Sequence, residues 1–554
     1  MRKYIWLFAC LLSTALSAQH QYYQQFQFTE ADTLRGKLEA SRSAYDVHFY
    51  DLNITVDIER RYLKGYVDMA FEVAAVTDRI QVDLYENMQL NRVEYEGKEL
   101  STTRKYDAFF VHFPESLDKG TNATIRMYYE GAPTVARNAP WDGGFVWKED
   151  EKGNPWVGVA CEGDGASLWW PCKDHLSDEP DSMMIRVAVP NDLMCIANGD
   201  LVEKQEMNDD YTRYDWRVTY PINSYNVTVN IADYTQFSDT YTAEDGEELR
   251  LDYYVLSYNL ARAKKHFAQV PQVLACFEKF FGKYPFWEDG FALVETPYLG
   301  MEHQSAIAYG NKYMRGYLGG LIPRDMDWDY IIVHETGHEY FGNAVSINDM
   351  AEMWIHESFT TYMETLFVEC AYSYEDAVRY INSQRNFIDN KLPILGPLDV
   401  NFDDWGGSDH YYKGAWMLHT LRHAIGDDEL WFDLLRSFYN RYAIGHAKTK
   451  DFIDYVSLCT KKDYAPFFEQ YLYHPNVPVL QYKLTEKKNR TILEYRWKAD
   501  IAAFAMPVLV GEKGEYIRVE PTTDWQKTKL PKMDDFSVAT ELFYVKIEQM
   551  DESY

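Results

Sequence analysis

Long apolar runs are missing from this chain. Past its N-terminal leader there is no stretch of about 18 apolar residues, so no helical membrane span is expected. Cysteine is scarce, with seven in 554 residues, which excludes a scaffold built on disulfides. Positive charge is in deficit. Lys and Arg number 55 against 86 Asp and Glu, for a formal net charge of −31. So acidic a surface repels nucleic-acid phosphates and anionic membranes, and neither is expected as a partner. Repeats, low-complexity tracts and Pro/Gly/Ser linkers are also lacking, so the domains are expected to pack directly on one another.

What is present is ordinary globular composition, 46% hydrophobic and 25% charged, at a length that suits three to four domains at about 150 residues each. The 45 Tyr suit broad sheet surfaces. The first 18 residues read as a secretory leader: Arg2 and Lys3, an apolar run from Tyr4 to Leu16, then the small residues Ser17 and Ala18. Cleavage after Ala18 and export to the periplasm or beyond are expected. Leu7-Phe8-Ala9-Cys10 resembles a lipoprotein site but comes too early in the apolar run, so anchoring at Cys10 is not expected. Of the remaining cysteines, Cys161 and Cys172 are close enough in sequence to bridge, or to stand as two buried thiols.

Three stretches follow the leader. Residues 19–234 read as an N-terminal β domain. Tyr50, Leu52, Ile54, Val56 and Ile58 alternate with polar residues, as do Val67, Met69, Phe71 and Val73, which predicts an antiparallel saddle or sandwich. Residues 235–475 are mostly helical, with apolar spacing from Ala261 to Phe281 interrupted at Pro271, and Phe291 to Val294 reading as a strand. Residues 476–554 return to strands and predict a small C-terminal β-sandwich, with a hairpin turn at Glu512-Lys513-Gly514-Glu515. The fold class is multidomain α+β.

The chemistry starts at His334-Glu335-Thr336-Gly337-His338. On a helix, residues four apart share a face, so both imidazoles can reach one metal ion. Glu335, about 100° further round, faces the space beside that ion and can take a proton from water there. Asp327 or Asp329 can cap the helix, and Gly342-Asn343 can stop it. A catalytic zinc needs a third protein ligand. Glu357 follows His338 by 19 residues, enough for a loop and a second helix that presents a first-turn carboxylate.

His334-Glu335-x-x-His338 with Glu357 resembles the gluzincin pattern. With Gly300-Met301-Glu302 ahead of it and Tyr411-Tyr412-Lys413-Gly414 behind, the chain resembles peptidase family M1, the zinc aminopeptidases and their leukotriene hydrolase relatives. Tyr45-Asp46-Val47, Trp170-Pro171-Cys172-x-Asp174 and Trp354-x-x-Glu357-x-Phe359-Thr360 resemble other family segments, in the family's order. The resemblance implies a saddle-like β domain, a thermolysin-like catalytic domain and a small β-sandwich. It implies one zinc ion per chain on His334, His338 and Glu357, with Glu335 as general base and Tyr411 as donor to the oxyanion; Tyr412 is the competing candidate. Glu302, with Gly300 and Met301, resembles the amine-binding motif, and Glu162, ten residues before Cys172, the second amine-binding position. Glu364, one helical face from Glu357, is a candidate to orient a zinc-binding His or to be an ordinary solvated carboxylate. Tyr298 is expected to wall the pocket for the first side chain, favouring apolar amino-terminal residues.

The sequence departs from the family at Leu299 and Ser358, usually Gly, at His303 and His356, usually Asn, and at Ala160, often Gln. The long helical domain of larger relatives has no counterpart here, so a more open cleft is expected. The implied activity is removal of amino-terminal residues from peptides with a free amino end. A zinc endopeptidase or small-lipid or epoxide hydrolase is the alternative on this fold, and Glu302 and Glu162 argue against it. A secreted, non-catalytic binding protein is the third reading, and the complete set of ligands, base and Tyr411 argues against that.

Overall fold

The structure, a computed structural model, describes residues 22–207 and 210–551. The expected leader, with Cys10 and the cleavage point at Ala18, lies outside the described residues. No helix among those described is long and apolar enough to cross a membrane.

Ahead of the first sheet runs a short helix, α1 (Glu30–Gly36), started by a capping box in which Thr29 and Asp32 exchange hydrogen bonds. Strands β1 (Tyr45–Asp57) and β2 (Tyr62–Val73) then pair antiparallel, with Leu52 opposite Val67 and Tyr50 opposite Met69. Their alternating apolar residues are buried on one face, as the period of two requires. β3 (Asn122–Gly131) continues from β2 in a ten-stranded sheet. A separate four-stranded sheet includes β4 (Pro155–Ala160), which feeds directly into the loop holding Glu162. The two sheets share one apolar core.

Sheet membership changes between Ala232 and Tyr234, where a five-stranded sheet begins. It contains β5 (Phe291–Glu295), β6 (Gly300–Met301) and β7 (Ile307–Tyr309), with β6 at its edge. Helices follow. Pro271 does not interrupt a long helix. It falls in the first turn of α2 (Val270–Phe281), where its missing N–H costs nothing, after a separate helix over Leu260–His266. α3 (Tyr330–His338), α4 (Trp354–Ala371) and α5 (Asp409–Ile425) carry the candidate site. A four-stranded and a three-stranded sheet close the chain and share the core of the helical region. Their hairpin turns at Lys513-Gly514, with Gly514 at φ +91°.

The disulfide joins cysteines far apart in the sequence. Cys276 of α2 and Cys370 of α4 are bridged across 94 residues, with their Cα atoms 5.8 Å apart. Cys161 and Cys172 are both buried thiols.

Candidate active site

Asp329 starts α3 by accepting hydrogen bonds from the Ile331 and Ile332 amides at 2.9 and 3.2 Å, and its other oxygen accepts from Tyr309 at 2.7 Å. The cap fixes where the helix begins, and therefore where His334 and His338 fall. Their Nε2 atoms lie 3.1 Å apart. α4 opens after a short 3₁₀ turn and presents Glu357 in its first turn. Glu357 Oε2 lies 3.5 Å from His334 Nε2 and 3.3 Å from His338 Nε2.

This triangle can be tested against a metal. Ligand atoms about 2.0–2.1 Å from a tetrahedral zinc ion stand about 3.3–3.4 Å from each other, and the three separations bracket that value. The Nδ1 side of each ring is already committed. His334 Nδ1 lies 2.6 Å from Glu364 Oε1, and His338 Nδ1 lies 3.0 Å from the Phe341 carbonyl oxygen. Each acceptor draws the N–H to Nδ1 and leaves the Nε2 lone pair facing the triangle. Glu364 is therefore no solvated carboxylate. It is fully buried, and Tyr380 and Gln384 donate to its second oxygen at 2.5 and 3.0 Å. The residues fit zinc.

Four carboxylates surround this point: Glu162, Glu302, Glu335 and Glu357 all line one cavity of about 570 Å³. Burial, reinforced by the neighbouring carboxylates, raises the Glu162 and Glu302 carboxyls above their ordinary range. Burial likewise pushes Glu335 up to about 8, against the pull of the two imidazoles. Glu357 goes the other way: burial opposes its ionisation, but the imidazoles of His338 and His334 hold its carboxyl well below the usual range. A divalent ion on the triangle lowers the cost of ionising all four. Glu302 comes from just beyond edge strand β6. Tyr225 donates to its Oε1 at 3.2 Å, and Asn343 donates to its main-chain oxygen at 2.7 Å. Gly300 lies so close to α3 that an added Cβ would stand 2.7 Å from Glu335 Oε1 and 2.8 Å from the Ile331 side chain.

Tyr411 and Tyr412 both line the cavity, in the first turn of α5. Tyr411 stacks on His334 at 6.0 Å between ring centroids, and its hydroxyl is close enough to Glu357 for that carboxylate to oppose its ionisation, second to burial. Tyr412 turns toward Phe387, 5.2 Å between centroids, and toward Tyr330. The structure thus brings Tyr411, not Tyr412, to the metal triangle. Ser358, where the resemblance implies Gly, is accommodated: its hydroxyl donates to the His410 carbonyl at 2.6 Å and sits against Gly414, tying α4 to α5.

Gly300, Met301 and Leu299 line the cavity, but Tyr298 does not. Its hydroxyl donates to the Val159 carbonyl at 3.1 Å, and its ring packs on Gly158. It turns into the contact with β4, away from substrate space, and the expectation of an apolar preference loses that support. Ala160, His303 and His356 are buried outside the cavity lining. Burial lowers both histidines to about 3, so they are neutral packing residues. The cavity mouth adds residues with no motif to mark them, among them Trp141, Phe387, Asp403, Asp404 and Trp405.

Two helix-borne imidazoles, a carboxylate from the next helix and a neighbouring free glutamate define a metallohydrolase site. The Peptidase family M1 domain matches residues 266–471, and the Peptidase M1 N-terminal domain matches residues 47–226. The chain belongs to peptidase family M1, a family of zinc metallopeptidases. It is 24% identical to aminopeptidase B of Mus musculus over 49% of this chain and 41% of that one. It is 21% identical to leukotriene A-4 hydrolase of Xenopus laevis over 84% of this chain and 78% of that one. The chain thus spans about two fifths of the length of the aminopeptidase B relatives. An M1 zinc metallopeptidase from Deinococcus radiodurans, solved with a bound Tyr-Ser-Ala substrate, superposes with a TM-score of 0.61 at 20% identity, covering 76% of this chain and 93% of that one.

Proposed function

We propose that this protein is an exported zinc aminopeptidase that removes residues one at a time from the free amino end of peptides. The observation that carries the reading is the pairing of Glu302 and Glu162 in the cavity of the His334–His338–Glu357 triangle, with no Lys or Arg among the described residues that line it. A substrate ammonium entering there meets fixed negative charge and no fixed positive side chain, and charge-assisted hydrogen bonds orient it.

His334, His338 and Glu357 would hold the zinc. When bound, zinc polarises the scissile carbonyl and makes water a stronger acid. Glu302 and Glu162 receive the amino group and so set which peptide bond lies beside Glu335. Glu335 takes a proton from the attacking water and passes it to the departing amine. The Tyr411 hydroxyl donates to the carbonyl oxygen as it gains negative charge. Glu364 keeps His334 in one tautomer and one orientation.

Peptides with free and N-acetylated ends, offered to the zinc-loaded protein, test the reading. The free peptide is trimmed stepwise and the acetylated one is left intact. Equal cleavage of both, or internal cuts first, would replace it with the endopeptidase alternative. Export is supported by the leader and by a disulfide, a bond that persists in oxidising compartments. Fractionation of expressing cells tests it: recovery in the cytoplasm with the leader intact would overturn that part.

A further inference from the structure

Residues 22–43 precede both family matches, and the chemistry above makes no use of them. They nonetheless cross the molecule beside the cavity. Tyr23 donates to the carbonyls of Pro393 and Leu395, at 3.2 Å each. The rings of Tyr23 and Phe26 pack on Phe402, at 5.1 and 5.2 Å between centroids. Gly36 lies against the main chain of Val400 and Asn401, where an added Cβ would stand 2.2–2.6 Å from backbone atoms. Further on, buried Arg42 pairs with Asp83 at 2.7 Å. The segment is a strap that joins the β domain to the loop at the cavity mouth.

The strap also reaches the loop that carries Glu162. That loop turns through Gly163 and Gly165, at φ +76° and +81°, conformations that glycine adopts without steric cost. Two main-chain bonds close the loop on itself, from the Asp164 N–H to the Glu162 carbonyl at 2.9 Å and from the Gly165 N–H to the Cys161 carbonyl at 2.6 Å, and further ties reach it from outside. Asn401 Nδ2 donates to the Gly163 carbonyl at 3.0 Å, and the Tyr85 hydroxyl donates to the Asp164 carbonyl at 3.0 Å. Tyr85 in turn accepts from the Arg35 guanidinium at the end of α1. A second Arg35 nitrogen lies 3.8 Å from Asp174, and Asp174 accepts from the Ser167 amide and hydroxyl at 3.0 and 2.6 Å. A Cβ on Gly165 would strike both Asp174 Oδ2 at 2.3 Å and Arg35 Nη2 at 2.6 Å. The guanidinium therefore stands directly beside the loop at Gly165, and Arg35 is not among the residues that line the cavity.

We propose that Arg35 is a positioning residue for substrate binding: through the Tyr85 hydroxyl it fixes the Asp164 carbonyl, and so holds Glu162 at the amine-binding end of the cavity. The proposal rests on the reading of Glu162 as an amine ligand. Arg35 touches no substrate. It acts on where a carboxylate two residues from its anchoring point can sit.

The test uses the full-length, zinc-loaded protein and an aminoacyl p-nitroanilide, with the variants Arg35→Ala, Tyr85→Phe, Glu162→Gln and the double variant Arg35→Ala/Glu162→Gln. Arg35→Ala and Tyr85→Phe each raise KM about 5–10-fold, the scale of one lost hydrogen bond, with kcat and zinc content nearly unchanged. The double variant has the KM of Glu162→Gln alone, because the strap has nothing left to position. A lowered melting temperature with KM unchanged in both Arg35→Ala and Tyr85→Phe makes the strap merely structural and overturns the proposal. So does a double variant whose KM effects multiply. Should Arg35→Ala fail to fold, Tyr85→Phe decides, since it removes one oxygen and leaves the strap's other ties. If Glu162→Gln itself leaves KM unchanged, the amine-ligand reading falls and the proposal with it. If Glu162→Gln raises KM while Arg35→Ala and Tyr85→Phe do not, only the proposal falls.

Discussion

His334 and Glu364 meet at 2.6 Å, Nδ1 to Oε1, inside the packed interface of α3 and α4. The carboxylate is 30 residues away in sequence, yet it decides which imidazole nitrogen is free for the metal. Replacing Glu364 by Gln leaves an amide that can present its nitrogen to Nδ1 and favour the wrong tautomer. Zinc affinity of Glu364→Gln is expected to fall about 10–100-fold, read by competition with a chelator. An unchanged affinity would mean that packing alone orients the ring.

Glu335→Gln separates the base from the ligands. All three ligand side chains persist, so zinc content stays at one per chain while turnover falls about 10²–10⁴-fold. Elemental analysis beside single-turnover kinetics checks both halves, and retention of more than a tenth of the activity rules Glu335 out as the base.

The two adjacent tyrosines give a paired prediction. Tyr411→Phe removes the hydroxyl beside the metal triangle and is expected to cost about 2.7–4 kcal/mol of transition-state stabilisation, seen in kcat. Tyr412→Phe changes a group directed at Tyr330 and Phe387, and kcat stays within a few-fold. Reversed effects would reassign the oxyanion donor.

The Cys276–Cys370 bridge ties α2 to the far end of the helix that carries Glu357. Closing so long a loop restricts the unfolded chain, and Cys276→Ser/Cys370→Ser is expected to lose about 2–4 kcal/mol of stability. Denaturant titration with and without reductant reads this directly. Reductant should shift the native protein's midpoint and leave that of the double variant unmoved.

A pH dependence is expected from Asp289, a buried carboxylate at the contact of the β and catalytic domains. It accepts from the Thr219 amide at 3.1 Å, and burial raises it from 3.8 to about 6 despite that bond. The native state therefore holds the proton more tightly than the unfolded chain. This group's contribution is fully present below about pH 4 and is lost as pH rises through about 6. Asp289→Asn does not titrate there. Its stability relative to wild type should improve by up to about 3 kcal/mol between pH 4 and pH 7. A difference independent of pH would place the Asp289 carboxyl at its ordinary value.

The parts of the site that were legible in the sequence are those set by local periodicity. His334, Glu335 and His338 follow from one helical turn, and Glu357 from the start of the next helix. The choice of Tyr411 over Tyr412 needed the register of Lys413-Gly414, and in the structure it is the Tyr411 ring that stacks on His334. Glu364 could be read only as one of two options, because its partner ring is 30 residues away. Tyr298 misled: its neighbour Leu299 does line the cavity, but the short segment between β5 and β6 turns its own ring the other way. The disulfide was invisible because Cys276 and Cys370 lie 94 residues apart and meet only through helix packing, while Cys161 and Cys172 take the buried-thiol option of the two the sequence left open. The cavity mouth from Phe387 to Ser408 and the strap at residues 22–43 carry no periodic signal, and their positions come from contacts far apart in the chain.

Gly300 carries a consequence for how this site can vary. A Cβ there would meet side chains of α3, Glu335 Oε1 at 2.7 Å and Ile331 Cγ2 at 2.8 Å. The contact lies between the strand that leads into the proposed amine anchor, Glu302, and the helix that carries the proposed base, Glu335. A methyl group there would press on the Glu335 carboxylate and the Ile331 side chain, and either must shift to admit it. Leu299 and Met301 border the same cavity without that constraint. Variation at those two positions changes the cavity lining, while variation at position 300 also bears on the Glu335 carboxylate.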